Sequence, residues 1–239
     1  MLAVDELHCG YQRGIDILQG LSLSVHSGSL TLIIGPNGAG KSTLLRAIFG
    51  FLQPHSGSIE FRGQRIDGEP PYRIKLRGIG YVPQEINTFP LLTIEENLRM
   101  GGWILRRDRA RLAERLDKIY GIFPILAERR RKRAGELSGG QARMLSVARE
   151  MMTEPALMLV DEPTAGLAPN LVDQVYELLA TARRETGTTI LLVDQNIEDS
   201  IRHADTVYMV DVGRIKARGP AAEFDAARIR QLIQECLLG

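Results

Sequence analysis

The stretch Gly35-Pro36-Asn37-Gly38-Ala39-Gly40-Lys41-Ser42-Thr43 has the residue types and spacing to hold a polyphosphate. It fits G-x-x-x-x-G-K-[ST]. Its glycines let successive backbone N–H groups turn inward with no side chain in the way. Lys41 can reach the outer phosphates, and the Ser42 hydroxyl can hold Mg²⁺. Two adjacent carboxylates, Asp161 and Glu162, close the apolar run Ala156-Leu157-Met158-Leu159-Val160. Adjacent side chains diverge, so Asp161 can face a metal, through a bound water, while Glu162 faces an attacking water as general base or positioner. A third glycine motif, Leu137-Ser138-Gly139-Gly140-Gln141, opens a helical pattern over Ala142 to Met152. There Ser138 reads as an N-cap, and the backbone N–H groups can again face an anion.

These groups need elements to position them. Leu30 to Ile34 reads as a buried strand feeding the first glycine loop, and Ser42 to Phe49 as the helix leaving it, so that the helix start faces the phosphates. Ile79 to Val82, Leu157 to Val160 and Thr189 to Val193 are short and apolar, the pattern of a parallel sheet buried on both faces. Leu2 to Leu7, Leu21 to Val25 and the segment around Ser58 to Phe61 predict a separate antiparallel layer. From Leu91 to about Arg133 the spacing of Leu98, Leu105, Leu112, Leu116 and Ile119 predicts helix, with a break at Pro124. Val207 to Val210 and Arg214 to Ala217 flank Gly213 as a hairpin, and Ala226 to Leu238 closes the chain as an amphipathic helix.

Three motifs in this order and spacing resemble the ATPase subunits of ABC transporters, over nearly the whole chain. The resemblance implies an α/β fold: a P-loop NTPase core with a parallel sheet, an antiparallel β layer, and a helical subdomain at about 91–137 inserted into a single domain, 1–239. It implies ATP and Mg²⁺ as ligands. Tyr11 stands where the family stacks an aromatic on adenine, which suits any base because every base has a π-face. Gln84, after Tyr81-Val82-Pro83, resembles the glutamine whose amide oxygen touches the metal. Ser138, Gly139, Gly140 and Gln141 would cap the γ-phosphate held by the P-loop of a second subunit, so the working unit is a head-to-tail dimer. Ala165-Gly166-Leu167-Ala168 lies where the family's D-loop crosses that interface.

One position departs from the family. Gln195, in Val193-Asp194-Gln195-Asn196, occupies the place of a histidine that contacts the γ-phosphate. Glutamine can donate a hydrogen bond but cannot become a cation near neutral pH. This segment, with Phe89-Pro90-Leu91-Leu92-Thr93-Ile94-Glu95-Glu96-Asn97-Leu98, Phe123-Pro124 and Gly166-Leu167-Ala168-Pro169, resembles the shorter ATPase subunit of branched-chain amino-acid importers and their amide or urea relatives. That plan has two different ATPase subunits, two membrane subunits and a substrate-binding protein. An exporter ATPase would share every ATP motif. A non-transport ABC protein would carry tandem cassettes or a long coiled coil, neither of which is present in the sequence.

The net charge of the 239 residues is +1, which asks for no nucleic-acid partner. The basic cluster Arg129-Arg130-Arg131-Lys132-Arg133 reads as a solvated linker. Cys9 and Cys236 match no metal or redox spacing and read as reduced thiols in a cytosolic protein. No apolar run approaches the ~20 residues needed to span a bilayer. The expectation is a peripheral subunit on the cytoplasmic face of the membrane, whose transport pore belongs to other chains.

Overall fold

The computed structural model describes residues 1–12 and 14–238, apart from the side chains of Asn170 and of residues 236–238. The reading of Cys236 therefore lies outside the described residues. Along the chain run β1 (Leu2–Cys9), β2 (Leu18–Val25), β3 (Leu30–Ile34), α1 (Lys41–Ile48), β4 (Ser56–Phe61), β5 (Gln64–Arg65), α2 (Pro71–Leu76) and β6 (Ile79–Val82). Then come α3 (Ile94–Gly101), α4 (Arg109–Ile122), α5 (Pro124–Glu128), α6 (Gly139–Met151) and β7 (Leu157–Asp161). The chain continues with α7 (Pro169–Thr186), β8 (Thr189–Val193), α8 (Ile197–Ser200), β9 (Thr206–Asp211), β10 (Arg214–Pro220) and α9 (Ala226–Leu238).

Two sheets form. One has the order β10-β9-β3-β8-β7-β6, in which β9, β3, β8, β7 and β6 run parallel and β10 pairs antiparallel at the edge. Every residue of β3, β7 and β8 is buried, the mark of strands covered on both faces. The other sheet, β2-β1-β4-β5, is antiparallel. One apolar core fills the space between the two sheets and around α1. A second packs the opposite face of the parallel sheet against α6, α7 and the helices after β6. The Tyr208 hydroxyl fastens the sheets together, donating to Ser24 O and accepting from Ser24 N, each at 3.2 Å.

Element boundaries differ from the sequence reading where local chemistry intervenes. Strand β1 runs past Leu7 because a bulge at Glu6, in the left-handed region at φ 42°, resets the alternation. Helix α6 starts before Ala142 because Ser138 and Gln141 form a capping box. The break expected at Pro124 is present: α4 ends at Ile122, Phe123 leaves helical geometry at φ −124°, and proline takes the first turn of a new helix, α5, where its missing N–H costs nothing. The basic cluster is a linker whose backbone caps α3, since Lys132 O and Arg130 O accept from Ile94 N and Glu95 N. Cys9 is buried, and desolvation pushes its thiol up to about 11, which keeps it protonated and inert.

Candidate functional site

Helix α1 begins at Lys41 with no side-chain cap, because its N-cap is Gly40, which has no side chain and sits left-handed at φ 103°. Its first N–H groups are therefore left for an outside acceptor. Gly35 is held at φ 149°, and a Cβ there would lie 2.0 Å from Val210 O, so no other residue fits between the loop and β9. The turn after β9 supports the loop from below, with Gly213 N donating to Ala39 O at 2.9 Å. Lys41 folds over the loop and donates to Gly35 O (2.9 Å) and Pro36 O (3.0 Å). Desolvation lowers its pKa, against the raising pull of Glu162, Asp161 and Asp194.

The carboxylates stand opposite. Ser42 Oγ donates to Asp161 Oδ1 at 2.9 Å, and the Tyr81 hydroxyl donates to Asp161 Oδ2 at 3.2 Å. Burial raises the Asp161 pKa, opposed by these two hydrogen bonds. It pushes Tyr81 to about 12. A hydroxyl and a carboxylate 2.9 Å apart at the mouth of a phosphate loop are hard oxygen ligands, a donor set that fits Mg²⁺ completed by phosphate oxygens and water.

Glu162 is buried and takes a left-handed backbone at φ 42°, unusual for glutamate. Its N–H donates to Val193 O at 2.8 Å, which fixes the turn. Two glutamines grip its side chain. Gln84 Nε2 donates to Oε2 at 2.7 Å, and Gln195 Nε2 lies 2.7 Å from both Oε1 and Oε2. The residue in the histidine's place thus reaches the carboxylate expected to handle water. A cavity of about 360 Å³ joins Tyr11, Asn37, Gly38, Lys41, Ser42, Thr43, Gln84, Glu162 and Gln195. Tyr11 stands exposed at its rim, its hydroxyl accepting from Arg46 Nη1 at 2.7 Å.

Ser138, Gly139, Gly140 and Gln141 do not line this cavity. Ser138 and Gly139 are exposed, and the Gln141 side chain accepts from Ser138 N and Arg129 Nη1, each at 3.3 Å. One chain does not bring the signature segment to its own phosphate loop.

Sequence reasoning missed two positioning groups. Arg143, two per cent exposed, donates through Nη1 to Pro83 O at 2.8 Å and through Nη2 to Gln84 O, clamping the glutamine loop to the signature helix. Arg149, nearly two turns further along the same helix, donates to Asn87 O and lies over the Phe89 ring at 4.9 Å. An arginine two residues beyond the signature was visible, but its carbonyl partners lie far away in sequence. The second group is Asp194, which accepts from Tyr176 (2.9 Å), Thr164 (3.2 Å) and Asn196 N (2.9 Å). It ties the turn after Glu162 to the turn bearing Gln195. Desolvation raises its pKa, with all of these hydrogen bonds acting against it.

A phosphate loop opening a helix beside two strand-end carboxylates, on a parallel sheet flanked by an antiparallel layer, defines an ATP-hydrolysing P-loop cassette. The chain belongs to the ABC transporter family of ATP-binding subunits, matching its domain over residues 18–165. It is 41% identical, over 90% of its length and 91% of the relative's, to the high-affinity branched-chain amino acid transport ATP-binding protein BraG of Pseudomonas aeruginosa. It is 35% identical to a probable branched-chain amino acid transport ATP-binding protein, LivF, of Archaeoglobus fulgidus, with 93% of each chain covered. A solved ATP-binding cassette of an ABC transporter superposes with TM-score 0.86 at 29% identity, covering all of this chain and 99% of the other.

Proposed function

We propose that this ATPase powers import of branched-chain or related amino acids as a peripheral subunit on the cytoplasmic face of the membrane. The observation that carries the reading is the likeness to branched-chain amino acid transport ATP-binding proteins over nine-tenths of the chain, and the glutamine-gripped Glu162 facing Lys41, Ser42 and Asp161, with the signature segment left outside the cavity, supports its ATPase half. A site built this way is completed by the signature of a second cassette, a paralogue or another copy of this chain, in a head-to-tail dimer. Residues 1–239 act as one nucleotide-binding domain, with the helices of about 91–137 as the inserted subdomain.

In the working site, Tyr11 stacks on adenine and the amides of Gly35 to Thr43 surround the phosphates. Lys41 leaves the Gly35 and Pro36 carbonyls to neutralise outer-phosphate charge. Ser42, Asp161 and Gln84 would hold Mg²⁺, which spreads the charge of the transferring phosphoryl group. Gln195 and Gln84 aim Glu162, which orients the attacking water and accepts its proton. Phosphoryl transfer depends mostly on such positioning and charge stabilisation. The partner's Ser138, Gly139 and Gly140 close the far side.

Permease subunits dock beside the glutamine loop. There a cavity of about 390 Å³ is lined by Phe51, Tyr72, Tyr81, Pro83 and Asn87, and Asn87 Oδ1 is buried with no hydrogen-bond partner among the described residues. A substrate-binding protein outside the membrane joins the assembly only through those subunits. The test is recovery of the tagged chain from detergent-solubilised membranes of its native cells, in Mg-ATP, wild type against Glu162→Gln. Two polytopic subunits with a second, different ATPase support the importer. A homodimer on one type of membrane subunit assigns an exporter, and nucleic-acid or ribosomal partners alone overturn transport.

A further inference from the structure

The tip between α3 and α4 carries a surface the ATPase chemistry does not use. Gly101 packs against the Arg149 backbone and leaves no room for a Cβ, and a Cβ on Gly102 would meet Leu112 Cδ1 at 2.8 Å. Leu105 reaches into the core. The short 3₁₀ turn Trp103–Leu105 is therefore pinned from inside, and Trp103 and Ile104 are held outward, 55% and 42% exposed, next to exposed Met100. Large apolar side chains fixed in solvent as a group mark an interaction surface.

Charge surrounds them. The segment Arg106-Arg107-Asp108-Arg109-Ala110-Arg111 is exposed throughout and places four arginines against one aspartate, in a chain whose whole net charge is +1. Asp108 is occupied capping α4, its Oδ1 accepting from Arg111 N at 3.0 Å. Nearby basic residues have carboxylate partners: Arg99 pairs with Glu95, and Arg115 and Lys118 pair with Glu154. Among the described residues, Arg107, Arg109 and Arg111 form no ion pair through their side chains. Arg106 lies over the Trp103 ring at 5.0 Å and donates to Trp103 O. A tryptophan beside unpaired arginines matches the bilayer interface, where an indole sits among headgroups and guanidinium groups meet lipid phosphate.

We infer that this tip, Met100 to Arg111, binds the anionic lipid surface of the membrane. The charge complementarity runs to lipid phosphate, and the apolar trio supplies shallow insertion that a free phosphate would not use. The inference goes beyond the importer reading and is tested without a permease.

The experiment is co-flotation of the full chain with vesicles of neutral phosphatidylcholine, with and without anionic phosphatidylglycerol. Trp103 is the only tryptophan, so its emission reports the tip directly. Binding to the anionic vesicles with a blue shift is expected, weakening as salt rises. Each arginine at the surface contributes about fivefold in affinity, so the triple variant R107Q/R109Q/R111Q should lose about 100-fold. ATP binding by that variant, which is remote from the nucleotide cavity, should be unchanged and confirms that it is folded. Absence of binding, equal binding by the triple variant, or binding without a Trp103 emission change overturns the inference. So does capture of the tip by duplex nucleic acid in place of vesicles.

Discussion

Replacing Gln195 by alanine tests whether a neutral amide does the work of the missing imidazole. Gln195 Nε2 lies 2.7 Å from both oxygens of Glu162, while Gln84 serves only Oε2. Among the described residues, alanine leaves Oε1 with no side-chain donor. A hydrogen bond to a charged group contributes about 1.5–3 kcal/mol. At about 1.4 kcal/mol per decade, its full loss in the transition state lowers kcat by about 10- to 150-fold. KM for ATP should move less than about threefold, since ground-state binding rests on the loop amides and Lys41. Phosphate release is measured at saturating Mg-ATP across a range of protein concentrations, so that dimerisation does not limit the rate. Gln195→His supplies a control: turnover should persist but acquire a pH dependence near the ordinary imidazole pKa of about 6.5. A Gln195→Ala kcat within twofold of wild type refutes the reasoning.

Other outcomes follow from the same geometry. Glu162→Gln should bind ATP normally, lose turnover by about 100-fold or more, and accumulate an ATP-bound dimer on size-exclusion chromatography. Arg143→Met keeps side-chain volume and removes a buried cation, so its melting temperature should stay close to wild type. The freed glutamine loop should be cut about tenfold faster by a glutamate-specific protease at Glu85, read by mass spectrometry. Burial raises Asp194 above the ordinary carboxylate pKa, so the folded protein takes up that proton before the unfolded chain does. The Asp194 contribution to stability therefore grows as pH falls from neutral toward the ordinary carboxylate range, and is lost as pH rises through the folded-state pKa. Asp194→Asn should flatten that part of the melting curve's pH dependence, and an unchanged slope would assign it to Asp161 or another group.

The phosphate loop, the strand-end carboxylates and the parallel strands were legible because their requirements are local. Positive φ values demand glycine at Gly35, Gly38 and Gly40, and strands buried on both faces must be apolar along their whole length. Gln84 and Gln195 were placed by motif order, but their meeting on Glu162 was not visible, since three separate turns must converge. Helix α2 and strand β5 are too short to leave a period. The Arg143 clamp and the Asp194 hub depend on partners remote in sequence, and a buried charge looks the same as an exposed one on the page. Tyr11 was read as a stacking platform for adenine; the structure adds Arg46 on its hydroxyl.

The buried Arg143 has a consequence for motion. Among the described residues no carboxylate pairs with it and its Nε has no hydrogen-bond partner; its cation is satisfied by the carbonyls of Pro83 and Gln84. Pulling the glutamine loop away by about an ångström or two would leave a buried guanidinium without its two carbonyl acceptors until solvent reaches it, a cost of several kcal/mol. Small excursions are therefore penalised more steeply than a complete opening that lets solvent in. The joint between loop and signature helix behaves as a latch with two settings rather than a spring, and a shift at the loop reaches the signature helix whole or not at all.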